Sequence, residues 1–164
     1  YRLRGYMQSE KYFKHCESLI RELFIFKEGV DNYSDFIAVH VRRGDYVDKS
    51  AHHTLLGRDY YERALAMLPD IPITVFTDMQ TIAWQGDKSN LCDIVPGWNM
   101  VSNSNNDMAI MAQAKYHVIA NSSFSWWGAW LSNSEKVIAP RNWFGPKKKH
   151  WSTKDLYPES WTVI

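Results

Sequence analysis

Two short stretches of the sequence carry side chains suited to holding an anion. The first is His40-Val-Arg-Arg-Gly-Asp45, which closes a run of β-branched residues. Side chains alternate along a strand, so His40 and Arg42 are expected on one face, and Val39, Val41 and Arg43 on the other. An arginine leaving a buried strand costs stability unless a carboxylate or phosphate pairs with it. Its planar fork suits a diphosphate better than a lysine ammonium does. Gly44 permits a tight turn that brings backbone N–H groups and Asp45 toward the same point. The residues alone leave two readings open: an anion-binding arginine, or a structural Arg–Asp pair at a strand end.

The second stretch is Asn121-Ser-Ser-Phe-Ser-Trp-Trp-Gly128. A strand that runs into small hydroxyl residues at a helix start offers free N–H groups and the positive end of the helix dipole. The hydroxyls of Ser122, Ser123 or Ser125 can add bonds there. The plainer alternative is a helix cap with nothing bound, with Trp126 and Trp127 packing the helix onto a sheet. Asn121-Ser-Ser123 and Asn32-Tyr-Ser34 are also glycosylation sequons, the former at an expected buried strand end where it would rarely be used. The basic run Lys147-Lys-Lys-His150 reads as a solvated loop or a mark of an anionic partner.

Other chemistries lack their residues. No Gly-x-Gly-x-x-Gly or Gly-Lys-Ser/Thr follows a strand, and no Gly-x-Ser-x-Gly elbow occurs. No two aspartates stand two apart, and His52-His53 are adjacent and poorly placed to share one metal. What survives is a metal-free anion site built from arginine and a helix N-terminus.

The elements that must position these residues alternate. Tyr12, Phe13, Cys16, Leu19, Ile20, Leu23 and Phe24 give Ser9–Phe26 a helical spacing, and Asp31–Asp35 breaks it. Strands are expected at Phe36–Arg42, Ile73–Thr77, His117–Ala120 and Lys136–Ala139. Helices are expected over Gly57–Leu68, from Asn106-Asp107 to Lys115, and over Phe124–Leu131, the second with Met108, Met111, Ala112 and the Lys115 stem inward. Short strands alternating with helices predict an α/β domain with a Rossmann-like parallel sheet flanked by helices. Ligands of such sheets bind beyond the carboxyl ends of the strands. Those ends carry Arg42–Asp45, Thr77-Asp78, Asn121–Ser123 and Pro140-Arg141.

Composition agrees with one globular unit. The 164 residues hold 19 Lys+Arg against 18 Asp+Glu, a net charge of +1, which argues against a nucleic-acid partner. A hydrophobic share of 45% excludes a disordered chain, and no apolar run approaches the ~18 residues of a membrane span. Cys16 and Cys92 cannot make a disulfide framework. The 8 tryptophans suit either a core or a binding surface. Tyr1 is not a methionine, so a piece of a longer chain is expected.

His40-Val-Arg-Arg-Gly-Asp-Tyr46 together with Asn121-Ser-Ser-Phe-Ser-Trp-Trp-Gly-Ala-Trp130 resembles the α-1,2-fucosyltransferases of glycosyltransferase family 11. Gly5–Phe13, Phe76-Thr-Asp78, Ile138-Ala-Pro140 and Trp143-Phe144 fit in the same order, over nearly the whole chain. The resemblance implies one lobe of a two-lobed GT-B glycosyltransferase. Residues 1–164 would be its C-terminal nucleotide-sugar lobe, 1–30 an interlobe helix, and the N-terminal lobe with its glycine-rich opening run would be absent. It implies inverting, metal-independent transfer of L-fucose from GDP-β-L-fucose to the 2-hydroxyl of a galactose-type acceptor, with no cofactor. By position, Arg42 would bind the diphosphate, with His40, Arg43 and Asp45 ordering that loop. Asn121, Ser122, Ser123, Phe124 and Ser125 would lie at the phosphates or guanosine, and Asp78 near the nucleotide. Asp45, Asp78 or a residue of the other lobe would be the base. The competing functions are α-1,6 or protein O-fucosyl transfer, and a non-catalytic carbohydrate- or nucleotide-binding module. The expected location is cytoplasmic or peripheral to the membrane for a bacterial or viral source, and the Golgi membrane for an animal one.

Overall fold

The computed structural model describes residues 6–24, 26, 35–79, 91–102 and 105–164. Six parallel strands form one sheet in the order β3-β2-β1-β4-β5-β6. They are β1 (Ile37–Val41), β2 (Ile73–Thr77), β3 (Met100–Ser102), β4 (Tyr116–Val118), β5 (Lys136–Ala139) and β6 (Thr162–Val163). The helices are α1 (Glu17–Leu23), α2 (Gly44–Asp48), α3 (Arg58–Leu65), α4 (Leu91–Ile94), α5 (Asp107–Met111) and α6 (Ser123–Leu131). This is the doubly wound Rossmann order, and chain direction across the sheet reverses between β1 and β4.

Strand β1 is buried along its whole length, as a central parallel strand with both faces covered must be. On one face Ile37, Val39 and Val41 pack with Val75, Val118 and Ile138 under Tyr60, Tyr61 and Ala64 of α3. On the other, Ala38 and Phe76 meet Met111 and Ala114. A second aromatic core joins Phe13, Trp126, Trp130 and Trp143. Beyond the last β1–β4 pair, Val39 with Val118, the strands part. There the carbonyls of His40 and Ile119 accept the hydroxyls of Tyr61 at 3.0 Å and Tyr60 at 2.7 Å. Helix α3 thereby satisfies backbone groups at the point where the crevice opens.

The structure amends several sequence expectations. Ser9–Phe26 is not one helix: two single 3-10 turns, Glu10–Tyr12 and Lys14–Cys16, precede α1. Phe13 interrupts at φ −140° and ψ 4°. That turn lets its ring stack on Trp127 at 5.1 Å and meet the edge of Trp130 at 4.8 Å. Leu19 and Leu23, expected inward, are exposed. Helix α5 is shorter than Asn106–Lys115 and buries Ala109 and Met111 rather than Met108 and Ala112. The Gly44-Asp45 loop is the start of α2, and β3 and β6 were not among the expected strands. Residues 1–5, 25 and 27–34, which hold most of the expected break and the Asn32 sequon, lie outside the described residues. No helix among the described residues is long and apolar enough to cross a membrane.

Candidate active site

Arg42 follows β1 directly and stands at the switch point. Its Nη2 donates to Asp45 Oδ1 at 2.6 Å, and its Nη1 lies 3.1 Å from Asp78 Oδ2. Asp78, just past the end of β2, also accepts the Arg43 N–H at 2.9 Å. A Cβ on Gly44 would fall 2.2 Å from Asp78 Oδ2, so only glycine lets the turn approach this closely. Lys49 Nζ bonds the other Asp45 oxygen at 3.0 Å. The Lys49 ammonium and the Arg42 guanidinium hold the Asp45 carboxyl below its usual range. Both oxygens of each aspartate are thus engaged, and together they fix the plane of the Arg42 guanidinium. The Arg43 side chain departs on the opposite face, where its charge partly offsets the upward push of burial on the Tyr61 hydroxyl.

His40 sits beneath. It is buried, its ring lies 5.7 Å from that of Phe124, and its Nδ1 has no hydrogen-bond partner among the described residues. Burial and then the Arg42 charge lower its pKa to about 3, so it is a neutral imidazole throughout the physiological range.

A cleft of about 530 Å³ opens between Arg42 and the start of α6, where Ser122, Ser123 and Phe124 line it. Ser122 caps α6, its hydroxyl accepting from the Phe124 N–H at 3.3 Å. The N-terminal end of this nine-residue helix, with its partial positive charge, therefore borders the same space as Arg42.

Not every expected residue reaches the cleft surface. Ser125 is fully buried and donates to the Ala120 and Ser122 carbonyls, so it braces the turn instead of facing a ligand. Asn121 lines the cleft, but its amide donates to Thr54 O at 3.0 Å and Trp143 O at 2.8 Å. It ties the β1 and β5 loops together, and as a buried side chain it is no glycan acceptor. Asp78 stands outside the cleft, on the β2 side of Arg42. Asp107, a buried acid in α5, accepts from Ser102 Oγ and belongs to the β3 side.

Sequence reasoning missed the far wall. Tyr46 donates to Asn121 O at 3.0 Å, stacks on His53 at 4.0 Å and carries the Arg42 guanidinium 5.2 Å from its ring centre. Phe144, Lys148 and Trp151 line the cleft there as well, and Tyr6 and Gln8 reach it from the N-terminal segment. The sequence signals for this wall were Tyr46 at the end of the arginine motif, His52-His53, the basic run and the Trp143-Phe144 pair. Among the described residues, no group of three or more His, Cys, Asp or Glu side chains is arranged to hold a metal.

A strand-end arginine held by two carboxylates thus faces a helix N-terminus across the switch point of a Rossmann-like sheet, the crevice in which ligands of such sheets bind. Residues 2–164 match the profile of Glycosyl transferase family 11, and the chain belongs to that family. It is similar to the O-antigen biosynthesis glycosyltransferase WbnK of Escherichia coli, 35% identical over 85% of this chain and 49% of that protein. It is also similar to an Escherichia coli alpha-1,2-colitosyltransferase, 34% identical over 98% of this chain and 61% of that protein. A rat galactoside alpha-(1,2)-fucosyltransferase 2 is 30% identical over 63% of the chain and 32% of its own length. The chain thus spans about half the length of the curated bacterial relatives it matches. No solved structure matches it.

Proposed function

We propose that this chain is the donor-binding lobe of a two-lobed, GT-B-type galactoside α-1,2-L-fucosyltransferase, with GDP-β-L-fucose as donor. The observation that carries the reading is Arg42, fixed by Asp45 and Asp78 and facing the N-terminus of α6 across the cleft. In the reaction, the 2-hydroxyl oxygen of a galactose-type acceptor bonds to the fucose anomeric carbon from the face opposite GDP. The bond from that carbon to the distal phosphate oxygen breaks, GDP leaves with the electron pair, and the configuration inverts. Negative charge grows on the departing diphosphate as an oxocarbenium-like transition state forms. In this proposal Arg42 and the positive end of α6 stabilise that charge, which is the work a metal ion does elsewhere. The proposed transfer therefore needs no metal or cofactor.

The acceptor proton goes to a carboxylate base. Asp45 and Asp78 spend their oxygens on Arg42, Lys49 and the Arg43 N–H. We assign them the orientation of Arg42 and place the base in the other lobe. Asp78, beyond Arg42, borders the nucleoside. A second reading, transfer of a colitosyl group, is favoured by the relative of that activity that aligns over 98% of this chain.

Transfer to lactose from labelled GDP-fucose, with EDTA present and the linkage read by NMR, tests the proposal in the protein of full length. An α-1,2 product that disappears in Arg42→Ala supports it. A product with another linkage, a requirement for added metal, or full turnover in the mutant contradicts it. The same assay with a colitosyl donor decides between the two sugars.

A further inference from the structure

The described cleft runs from Arg42 away from β2, and its far end is built by the loops after β1 and β5. These loops are clamped. His53 and Phe144 form an isolated antiparallel bridge, Gly145 N–H donates to His52 O at 2.9 Å, and Lys147 N–H donates to Ala51 O at 2.8 Å. A Cβ on Gly145 would come within 2.7 Å of Ser50 O, so the two backbones are pressed together. The clamp holds Trp151, which meets Phe144 edge to face at 5.2 Å and has the Lys148 ammonium 4.8 Å from its ring centre. Of Lys147, Lys148 and Lys149, only Lys148 is half-buried and turned to the cleft. It makes no ion pair with a described carboxylate, and its visible partner is the indole.

Trp151 is nevertheless 50% exposed. Core packing does not explain a large aromatic side chain that is pinned from two sides and still open to the cleft. An aromatic ring carries negative charge on its face. The C–H groups of a pyranose, polarised by their neighbouring oxygens, are its natural complement. In galactose the C3, C4 and C5 hydrogens lie together on one side of the ring and form such an apolar patch. Stacking that side on the indole leaves the equatorial 2-hydroxyl uncovered.

We propose that Trp151, held by Lys148 and Phe144, is a stacking platform for the acceptor hexopyranose. The inference rests on the donor reading above. A nucleoside and a glycosyl group leave a diphosphate in opposite directions, so a nucleoside on the Asp78 side puts the reacting sugars at the Trp151 end.

Saturation-transfer NMR of this chain with methyl β-D-galactopyranoside tests it, beside GDP titration of the same samples and a thermal melt of each variant. The expected result is transfer onto the C3–C5 protons in the wild type, loss of that signal in Trp151→Ala, retention in Trp151→Phe, and one GDP affinity in all three. Undiminished transfer in Trp151→Ala, or no transfer in a wild type that binds GDP, overturns the platform and leaves the donor site standing. Transfer that depends on Trp151 in a chain that binds no GDP supports the platform and overturns the donor reading.

Discussion

The turn after β1 and the body of α6 are the two segments that set this chain apart, and they are built on opposite principles. Around Arg42 the structure gathers charge: one guanidinium, two carboxylates and Lys49, all partly exposed. Along α6 it gathers rings. Trp126 is fully buried, stands edge-on to Phe13 and Trp127, and donates its indole N–H to Leu156 O at 2.8 Å. Only the first turn of α6 reaches the cleft. The aromatic block that most strongly marks the family is therefore mainly scaffold, and its opening serines are the part that lines the cleft. A polar cluster at a cleft contributes little to stability because its charges remain partly solvated. A buried tryptophan contributes much, through contacts and area removed from water.

The two regions should therefore fail differently. Trp126→Ala should give the largest loss, about 3–5 kcal/mol of folding stability, read by chemical denaturation; a stable variant would mean that α6 is not the scaffold. Arg42→Ala should leave the melting temperature almost unchanged while turnover of the full-length enzyme falls by about 10²–10³. A large drop in melting temperature with proportionate activity would instead make Arg42 structural.

Acid should act on the scaffold as much as on the site. His40 is held down to about 3 mainly by burial, and His117, fully buried between Ser134 Oγ and Met111 O, to about 4. The unfolded chain takes up these protons near the ordinary value of about 6.5, before the folded one does. Stability is thus fully present above that value and declines as pH falls toward 4 and then 3. The slope is at most about 1.4 kcal/mol per pH unit for each histidine. Denaturation midpoints measured between about pH 7.5 and 5 should fall accordingly, and a flat profile would contradict the buried neutral imidazoles. The smallest effect belongs where the two regions meet. Ser122→Ala removes the cap of α6 and should cost about 1 kcal/mol, while also weakening the binding of any anion at that helix end. Unchanged anion affinity would detach α6 from the site.

How much of this could be read from the sequence depends on the range of the contacts. Val39, Val41 and Val75 announce buried parallel strands locally, and β1, β2 and β5 lie where their β-branched runs place them. Strands β3 and β6 are three and two residues long, too short to show a period, and are strands only because β2 and β5 offer edges. The Ser9–Phe26 pattern misleads because Phe13 answers to Trp127 and Trp130, far along the chain, rather than to its own helix. At the site, Arg42 and Asp45 are three residues apart and their pairing is legible. The contact from Asp78 and the wall formed where His53 meets Phe144 join segments remote in sequence, and no local pattern encodes them.

The central claim, that Arg42 and the N-terminus of α6 form a diphosphate site selective for guanosine nucleotides, is tested most directly by calorimetric titration. This chain would be titrated with GDP, UDP and ADP in the presence of EDTA, beside Arg42→Ala and with a melt of each sample. The account predicts binding of GDP in preference to the other two, lost in the folded mutant. A cooperatively folded wild type that binds none of the three, or a mutant that binds GDP as well as the wild type, would contradict it.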